Sequence, residues 1–471
     1  MLRPLQFIRI ATLLLSFSPI LVFAQPQTAN DIQTLREELK ELRRRTEQIE
    51  SKLLQLEQSP TPVGKEISQP SPIVEKASNL PTRANDPIIQ PKRDQRLFNL
   101  SLDGLIAAGG STAEDLDRLQ LGGHDPIQNG FTLQSLEATL DGAVDPYFRA
   151  QANIALQLDS HSETSLEVEE AWLESSYLPG NFQLRLGQIM TDFGRINPTH
   201  PHSWAFVDSP LVNARFFGPD GLRNPGARLS WLTPTPFYSE IFLSIQNSSG
   251  ETMQSFGFDH EGQTYLGRSQ IERPTSRLSD LLITPRYVFS YDLTPSQTLL
   301  AGLSAALGPN ASGMDERTEI YGLDLFWKWK PTTHSGGFPF VSWQTEAMVR
   351  HYSAASGEID IAGTPTLLNR ERIEDHGAYS QISWGFHKGW VAALRGDYIS
   401  SAQSAGYEQL LGPDPDLISR WRFSPNLTWF PTEFSKIRLQ YNLDHRETIG
   451  ADHSIWLQFE FLLGAHGAHK F

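Results

Sequence analysis

From residue 97 onward, apolar and polar residues alternate along the chain with a period of two. Between Phe148 and Leu158 every second residue is apolar, and the positions between them are mostly Arg, Gln or Asn. The same alternation recurs in 320–329, 434–443 and 455–463. This period places successive side chains on opposite faces of a β-strand. The pattern therefore predicts antiparallel β-structure over residues 97–471.

The connections between these predicted strands alternate between short and long. Short turns such as 145–146 and 178–181 alternate with long polar segments such as 109–130, 189–224 and 444–452. Outer-membrane barrels have short turns at one end and long loops at the other. The spacing thus favours a membrane barrel over a soluble β-sandwich, in which strands also alternate.

Aromatic residues cluster near the predicted strand ends, among them Trp390, Trp429 and Phe430. Belts of aromatic residues mark both interfaces of a membrane barrel. The fold class predicted is all-β, a transmembrane antiparallel β-barrel of about sixteen strands preceded by an N-terminal coiled-coil helix. Residues 166–177 alternate poorly, which leaves fourteen or eighteen strands open.

Residues 30–58 have a different period, with seam residues spaced alternately three and four apart. The seam residues are Ile32, Leu35, Leu39, Leu42, Thr46, Ile49, Leu53 and Leu56. This is the a/d pattern of four heptads, and all four pairs of e and g residues between neighbouring chains have opposite charges. The segment predicts a parallel coiled coil between copies of the chain. The seam fits a dimer or a trimer, and a trimer is favoured because large outer-membrane barrels commonly trimerise.

The segments on either side of this coiled coil differ in composition. Residues 1–24 have an Arg-containing start, an apolar middle and small residues before Gln25, which is the layout of a secretory signal peptide. Residues 59–96 contain seven prolines, which favour an extended linker over a packed domain. We expect a signal peptide at 1–24, a coiled coil at 30–58, a linker at 59–96 and a barrel at 97–471.

Composition and charge exclude several classes of function. The net charge is −15, which disfavours nucleic acid as a partner because binding it requires basic patches. The chain has no cysteine, so it forms no disulfide and no thiolate metal site. No nucleophile elbow and no His-Glu-x-x-His motif occurs. We expect no enzymatic activity and no cofactor.

One segment resembles a known family of porins. Glu169-Glu170-Ala-Trp-Leu-Glu174, Phe182–Gln188 and Asp192-Phe-Gly194 look like the signature segment of the phosphate-selective porins O and P. That resemblance implies a trimeric barrel of sixteen strands, and members often have a coiled coil after the signal peptide. The family depends on dense basic residues in its inward loop, and 189–224 has no such cluster. Phosphate selectivity is therefore not transferred to this chain.

The resemblance to porins makes the charged residues that face the lumen the candidates for solute selection. Residues 189–224 are the expected inward loop, and its mixed charges would place a transverse field across a constriction. Alternation also assigns a set of basic residues to the inner wall, which favours passage of anions. The candidate pore-lining and constriction residues are Arg149, Arg185, Asp192, Arg195, Asp208, Arg215, Arg228, Arg395, Arg420, Arg422, Lys436 and Arg438.

Two histidines, His200 and His202, lie close together in the expected inward loop. Histidine is a common zinc ligand, and a carboxylate can complete its coordination shell. No third ligand stands at a recognisable spacing, so a structural or solvated role is favoured and no metal is expected. They remain weak candidates.

These observations predict a porin-type channel in a bacterial outer membrane, with the coiled-coil stalk in the periplasm. The expected partners are outer-membrane lipid, further copies of the chain as a homotrimer, and small hydrophilic or anionic solutes that diffuse passively. Two alternatives stay open. One is a receptor or specific transporter linked to zinc or another metal, and the other is a structural outer-membrane tether.

Overall fold

The fold is given by a computed structural model of the chain, which describes residues 98–158, 164–258, 263–361 and 364–464. The signal peptide, the coiled coil with its seam and the linker lie outside the described residues. No helix within the described ranges is long and apolar enough to cross a membrane.

Twenty β-strands follow one another along these residues. Their bounds are β1 Phe98–Ser111, β2 Gly130–Ala143, β3 Phe148–Leu158, β4 Thr164–Ser175, β5 Phe182–Met190, β6 Arg223–Leu232, β7 Tyr238–Asn247, β8 Thr264–Tyr265, β9 Arg268–Ser269, β10 Leu281–Thr294, β11 Gln297–Pro309, β12 Arg317–Trp329, β13 Phe340–Ala354, β14 Gly357–Ile361, β15 Thr364–Leu368, β16 Glu371–His387, β17 Trp390–Ile399, β18 Arg420–Thr432, β19 Ser435–Arg446 and β20 Gly450–Gly464. Short helices in the loops span Leu116–Leu119, Leu211–Phe217 and Ala405–Leu411.

Sixteen of these strands form one closed antiparallel barrel. Each pairs with its neighbours in chain order, and β8–β9 and β14–β15 form separate hairpins within two of the loops. β1 closes the barrel on β20, with Ser101 opposite Gly464 and Ser111 opposite Ser454. Closure leaves no unpaired strand edge. The predicted all-β barrel of about sixteen strands is confirmed.

The connections alternate in length, as the sequence indicated. Most turns at one end are short, such as 144–147 and 388–389, whereas the other end has long loops such as 191–222 and 248–280. We call these the short-turn end and the long-loop end. The prediction of a long loop at 444–452 was wrong. There β19 and β20 pair as far as Arg446 and Gly450, and a tight turn with Thr448 at φ 68° joins them.

A β-bulge explains why β4 alternates poorly. Asn153 of β3 pairs with Glu170, but the next residue, Ile154, pairs with Val168, so Glu169 is the extra residue. A bulge reorients side chains locally, and bulges are frequent beside functional sites. Glu169 and Glu170 are consequently both buried, although an unbroken strand would turn them to opposite faces.

The outer surface of the barrel carries apolar side chains between two aromatic zones. Trp390 and Trp429 stack at the short-turn end, with 5.9 Å between ring centroids. Trp421 and His445 stack at the long-loop end at 5.6 Å. From Trp421 to Trp429 the strand rises about 26 Å, or about 20 Å in height after a tilt of about 40°. That height is comparable to the apolar band of a membrane barrel, about 25 Å.

An apolar cluster lies inside the barrel, toward the long-loop end. Its members come from loops and from the inner wall, including Phe193 and Phe216 from one loop and Ile320 and Met348 from strands. All four are nearly inaccessible to solvent. The lumen at this level is therefore packed with side chains.

Candidate functional site: the lumen and its inward loop

The loop between β5 and β6, residues 191–222, enters the barrel, and we call it the inward loop. Carboxylate oxygens of Glu346 on β13 accept hydrogen bonds from the backbone N–H groups of Arg195, at 3.0 Å, and Ile196, at 2.9 Å. Gln440 on β19 accepts another from Val207 N–H at 2.8 Å. The inward loop is thus fastened to separate parts of the wall. Its position agrees within two residues with the predicted segment 189–224.

Asp208 is the most heavily bonded side chain of the inward loop. Its carboxylate accepts hydrogen bonds from Arg395 at 2.6 Å, Arg422 at 2.9 Å, Gln440 at 3.0 Å and Asn442 at 2.7 Å. Burial alone would raise the pKa of Asp208, but the two guanidinium groups outweigh this and hold that pKa below its ordinary value. Asp208 is therefore an ionised anchor between the loop and β17–β19.

A second loop, 112–129, packs on the same anchor. Arg422 donates to the carbonyl oxygen of Leu119 at 3.2 Å and to the side chain of Gln120 at 3.0 Å. Asp125 accepts a hydrogen bond from Ser209 N–H at 2.8 Å. The two loops are joined to each other as well as to the wall.

Most of the predicted basic residues form ion pairs with carboxylates. The sequence analysis predicted a basic inner wall and did not include these acidic partners. The pairs are Arg149 with Glu174, Arg185 with Glu174, Arg228 with Glu174 and Asp192, Arg395 with Asp397 and Asp208, Arg420 with Asp444, Arg422 with Asp444 and Asp208, and Lys436 with Glu460. Period-two alternation places acidic residues on the inner face as readily as basic ones. Much of the wall is consequently neutralised by ion pairs.

Arg195, Arg215 and Arg438 donate instead to neutral groups. Arg438 donates to the Gln458 side chain at 2.8 Å and to a backbone carbonyl of the inward loop at 2.8 Å. Arg215 lies in the helix Leu211–Phe217 and donates to a backbone carbonyl at 3.1 Å. Burial lowers the pKa of Arg215 to about 10, which still leaves it charged at neutral pH. These three residues supply positive charge within the lumen.

A cavity of about 610 Å³ opens below the inward loop, near the short-turn end, and we call it the vestibule. Its charged lining consists of Arg195, Lys328 and Arg438, together with Lys436, which is paired with Glu460 behind it. Trp204, Phe326, Phe340 and Phe430 give it aromatic surfaces, and the guanidinium of Arg195 lies 4.0 Å from the Phe326 ring centre. Among the described residues that line the vestibule, none is Asp or Glu. The vestibule therefore differs from the neutralised wall above it.

Lys328 was missing from the candidates, although the pattern contained it. Trp327 and Trp329 belong to the outer face of β12, so period-two alternation turns Lys328 inward. The sequence places Phe430 in the outer aromatic belt, but in the structure its side chain lines the vestibule inside the barrel.

The two candidate histidines lie in a buried cluster of imidazoles and carboxylates. His200 Nδ1 is 2.9 Å from Glu169, and its Nε2 is 3.2 Å from Glu170. His202 Nδ1 is 3.3 Å from Glu137. Burial disfavours the protonated form of His200. Glu137 and the hydrogen bonds from His200 to Glu169 and Glu170 outweigh this and raise the pKa of His200 well above its ordinary value. The carboxylates come from β2 and from the bulge in β4, so spacing along the chain could not reveal them.

Comparison with known proteins gives one relative of comparable length. An uncharacterised protein of Aquifex aeolicus (strain VF5) is 30% identical over 400 residues, which is 81% of this chain and 76% of that protein. This chain belongs to the family of that protein. No family model matches the chain.

Solved structures with a similar course of the chain are outer-membrane proteins. The outer membrane channel DcaP of Acinetobacter baumannii has a TM-score of 0.48 at 13% identity, covering 78% of this chain and 97% of that one. An anion-selective porin from Comamonas acidovorans has a TM-score of 0.46 at 9% identity, covering 78% and 100%. The strand pairing of this chain is what establishes its closed barrel.

Proposed function

We propose that this protein is a channel of the bacterial outer membrane that passes small anionic solutes passively, and that it is not an enzyme. The observation that supports this most is the charge of the vestibule, which Arg195, Lys328 and Arg438 line with no carboxylate in its lining among the described residues, while the fourth cation, Lys436, is paired with Glu460. A pore lined by one sign of charge concentrates the opposite ion. Neutral hydrophilic solutes small enough to enter would also pass.

The outer surface supports a membrane location. Leu394, Leu427 and Leu439 lie on neighbouring strands, and each exposes 40% or more of its surface on the outside of the barrel. Exposed apolar side chains between aromatic zones are the pattern found on the lipid-facing surface of a membrane barrel. We place the short-turn end in the periplasm, as in other barrels of this type.

The packed lumen favours a narrow route. The inward loop is bonded to β13, β17 and β19, and its Phe193 and Phe216 belong to the apolar cluster. A solute must pass between such fixed groups. We therefore propose a channel for solutes smaller than those of a general diffusion pore.

The oligomeric state of this channel rests on the sequence alone. The seam of residues 30–58 supports a parallel homo-oligomer with its stalk in the periplasm, and the resemblance to the porins O and P implies a trimer. The seam lies outside the described residues. Phosphate selectivity does not form part of the proposal.

Reversal potentials in a salt gradient across planar bilayers test the selectivity. We expect the wild-type channel to favour chloride over potassium, and Lys328→Gln and Arg195→Gln each to shift the reversal potential toward potassium. Lys388→Gln is a matched control, because Lys388 is exposed in the turn between β16 and β17 and does not line the vestibule. Preference for potassium in the wild type, or absence of conducting steps, would contradict the proposal.

A metal-linked receptor or transporter is the second candidate, and the histidine cluster favours it. The third possibility, a structural tether, would depend on residues 30–58. Conducting steps in the bilayer experiment would count against a tether that has no pore.

A further inference from the structure

The strongest unassigned feature of the lumen is the histidine cluster where the inward loop meets β2 and β4. Three side chains, Glu137, Glu169 and His200, place one ligand atom each within 4.8 Å of one another. Glu137 and Glu169 are buried, and His200 exposes 12% of its side chain. They come from β2, from the bulge in β4 and from the inward loop. We propose that these residues form a site for a borderline divalent transition metal, with Zn²⁺ as the representative ion.

The distances between the ligand atoms fit such an ion. Zinc binds histidine nitrogen and carboxylate oxygen at about 2.0–2.2 Å in a tetrahedron, which separates ligand atoms by about 3.3–3.5 Å. His200 Nδ1 lies 2.9 Å from the Glu169 oxygen and 3.5 Å from the Glu137 oxygen. Both distances lie within about 0.5 Å of that separation, and the Glu137 and Glu169 oxygens lie within 4.8 Å of each other.

The other ring nitrogen of His200 supports the same assignment. Nε2 lies 3.2 Å from a carboxylate oxygen of Glu170. A histidine that binds a metal usually donates its second N–H to a carboxylate, which fixes the tautomer and makes the ligand nitrogen more basic. Glu170 would hold the Nε2 proton, and a bound ion would replace the proton on Nδ1 that Glu137 and Glu169 hold otherwise.

The carboxylates are oriented by neighbours as well. Asn153 and Thr139 donate hydrogen bonds to Oε1 of Glu137, and Oε2 of that residue is the oxygen nearest to His200. Oε1 of Glu169 is buried and accepts no well-aligned hydrogen bond, although His124 Nε2 lies 3.1 Å away. Each carboxylate therefore has one oxygen directed at His200.

The position of the site gives it a structural consequence. Two of the ligands belong to the wall and the third to the inward loop, so a bound ion would link the loop to β2 and β4. Elsewhere in the wall, Asp208 links the same loop to β17 and β18. Three protein ligands leave a fourth position for water or for a solute anion. The water or anion at this fourth position could therefore exchange.

Zn²⁺ titration of the purified full-length protein, stripped of metal with a chelator, tests this assignment by isothermal calorimetry. Substituting Co²⁺ should add the visible absorption of a tetrahedral cobalt site. We expect one ion per chain. Glu169→Gln and His200→Gln should each weaken binding by more than about 100-fold, and Asn153→Ala by about 10- to 100-fold, since outer-shell changes have effects of that size. Calorimetry reports binding whether or not the protein conducts, so its outcome is independent of the proposed channel.

Two controls separate this site from other histidines. His387→Gln removes an exposed ring at the end of β16 and should leave binding unchanged. The double variant His466→Gln/His469→Gln tests the C-terminal histidines. Heat-modifiable migration on gels, retained in every variant, verifies the folded barrel. The proposal would be overturned if the wild type bound no Zn²⁺. It would also be overturned if binding were lost with the C-terminal histidines and kept in folded His200→Gln. The cluster would then be a protonated imidazole held by carboxylates.

Discussion

Asp208 of the inward loop and Arg422 of β18 form an ion pair inside the barrel, with 2.9 Å between Oδ2 and Nη1 and both side chains fully buried. The other oxygen of Asp208 binds Arg395 at 2.6 Å, and each arginine keeps a further carboxylate, Asp397 or Asp444. A single loop residue thus shares two guanidinium groups with the wall. This arrangement makes Asp208 the residue whose removal should most directly release the loop.

Asp208→Asn should loosen the inward loop while the barrel stays folded. Removing one partner of a buried pair typically costs about 3–5 kcal/mol, because the remaining charge is left uncompensated. Here Asp397 and Asp444 retain part of that compensation, so we expect about 3 kcal/mol, or roughly a 100-fold change in the docking equilibrium. Single-channel recordings should show larger and noisier conductance than the wild type.

The matched control for this change is Glu251→Gln, which neutralises an exposed carboxylate in another loop. It should leave the conductance unaltered. Wild-type conductance and noise in Asp208→Asn would mean that the other hydrogen bonds of the inward loop are enough to hold it.

Gly322→Val should displace the inward loop at its other end. A Cβ atom on Gly322 would lie 2.6 Å from the Phe193 ring, and that ring is fully buried. Overpacking of this kind typically costs about 1–3 kcal/mol. We expect faster proteolysis of the inward loop in Gly322→Val, and partial recovery in Gly322→Val/Phe193→Ala because the smaller side chain restores space.

Gly396→Val is the control, since a Cβ on Gly396 has open space around it. It should be cleaved at the wild-type rate. If Phe193→Ala gives Gly322→Val no protection, and the two effects simply add, the contact is not what positions the loop.

The sequence predicted the barrel because its signal is periodic and local. Alternation in β3, β12 and β19 and the contrast between short and long connections follow from strand geometry alone. Contacts inside the lumen depend instead on which residues meet across the barrel. Nothing near Asp208 in the chain indicates that Arg395 and Arg422 surround it, 187 and 214 positions away. Pairing across such separations is set by the closed fold.

The residues of the candidate metal site could likewise be predicted only in part from the sequence. His200 and His202 were recognisable, but Glu137 lies 65 residues from His202, and Glu169 turns inward only because of the bulge in β4. The poor alternation of 166–177 was the available signal, and it indicated an irregular strand without saying which side chains it would redirect. Lys328, by contrast, could have been found from period two alone.

Leu394→Arg should destabilise the barrel in lipid. Leu394 exposes 46% of its surface on the outer face near the middle of β17. An arginine facing lipid near the bilayer midplane costs about 2–4 kcal/mol, falling to about 0–1 kcal/mol at the interfaces. The free energy of unfolding, measured by guanidinium titration in phospholipid vesicles, should fall by that amount. Leu367→Arg places the same charge on an exposed residue of the β14–β15 hairpin and should change little. Equal effects at both positions would contradict a lipid-facing position for Leu394.

The combined variant Leu39→Gln/Leu42→Gln/Ile49→Gln should abolish or weaken oligomerisation through the predicted coiled coil. Polar side chains at three seam positions remove apolar burial between helices, on which a coiled coil depends. Chemical crosslinking and sedimentation in detergent should show the wild type as a trimer and the variant as a monomer with an intact barrel. Glu37→Gln/Glu41→Gln/Arg44→Gln changes three positions outside the seam and should keep the wild-type oligomer. An oligomer unaltered by the seam variant would assign association to the barrel surface, so the stalk would not be what holds the chains together.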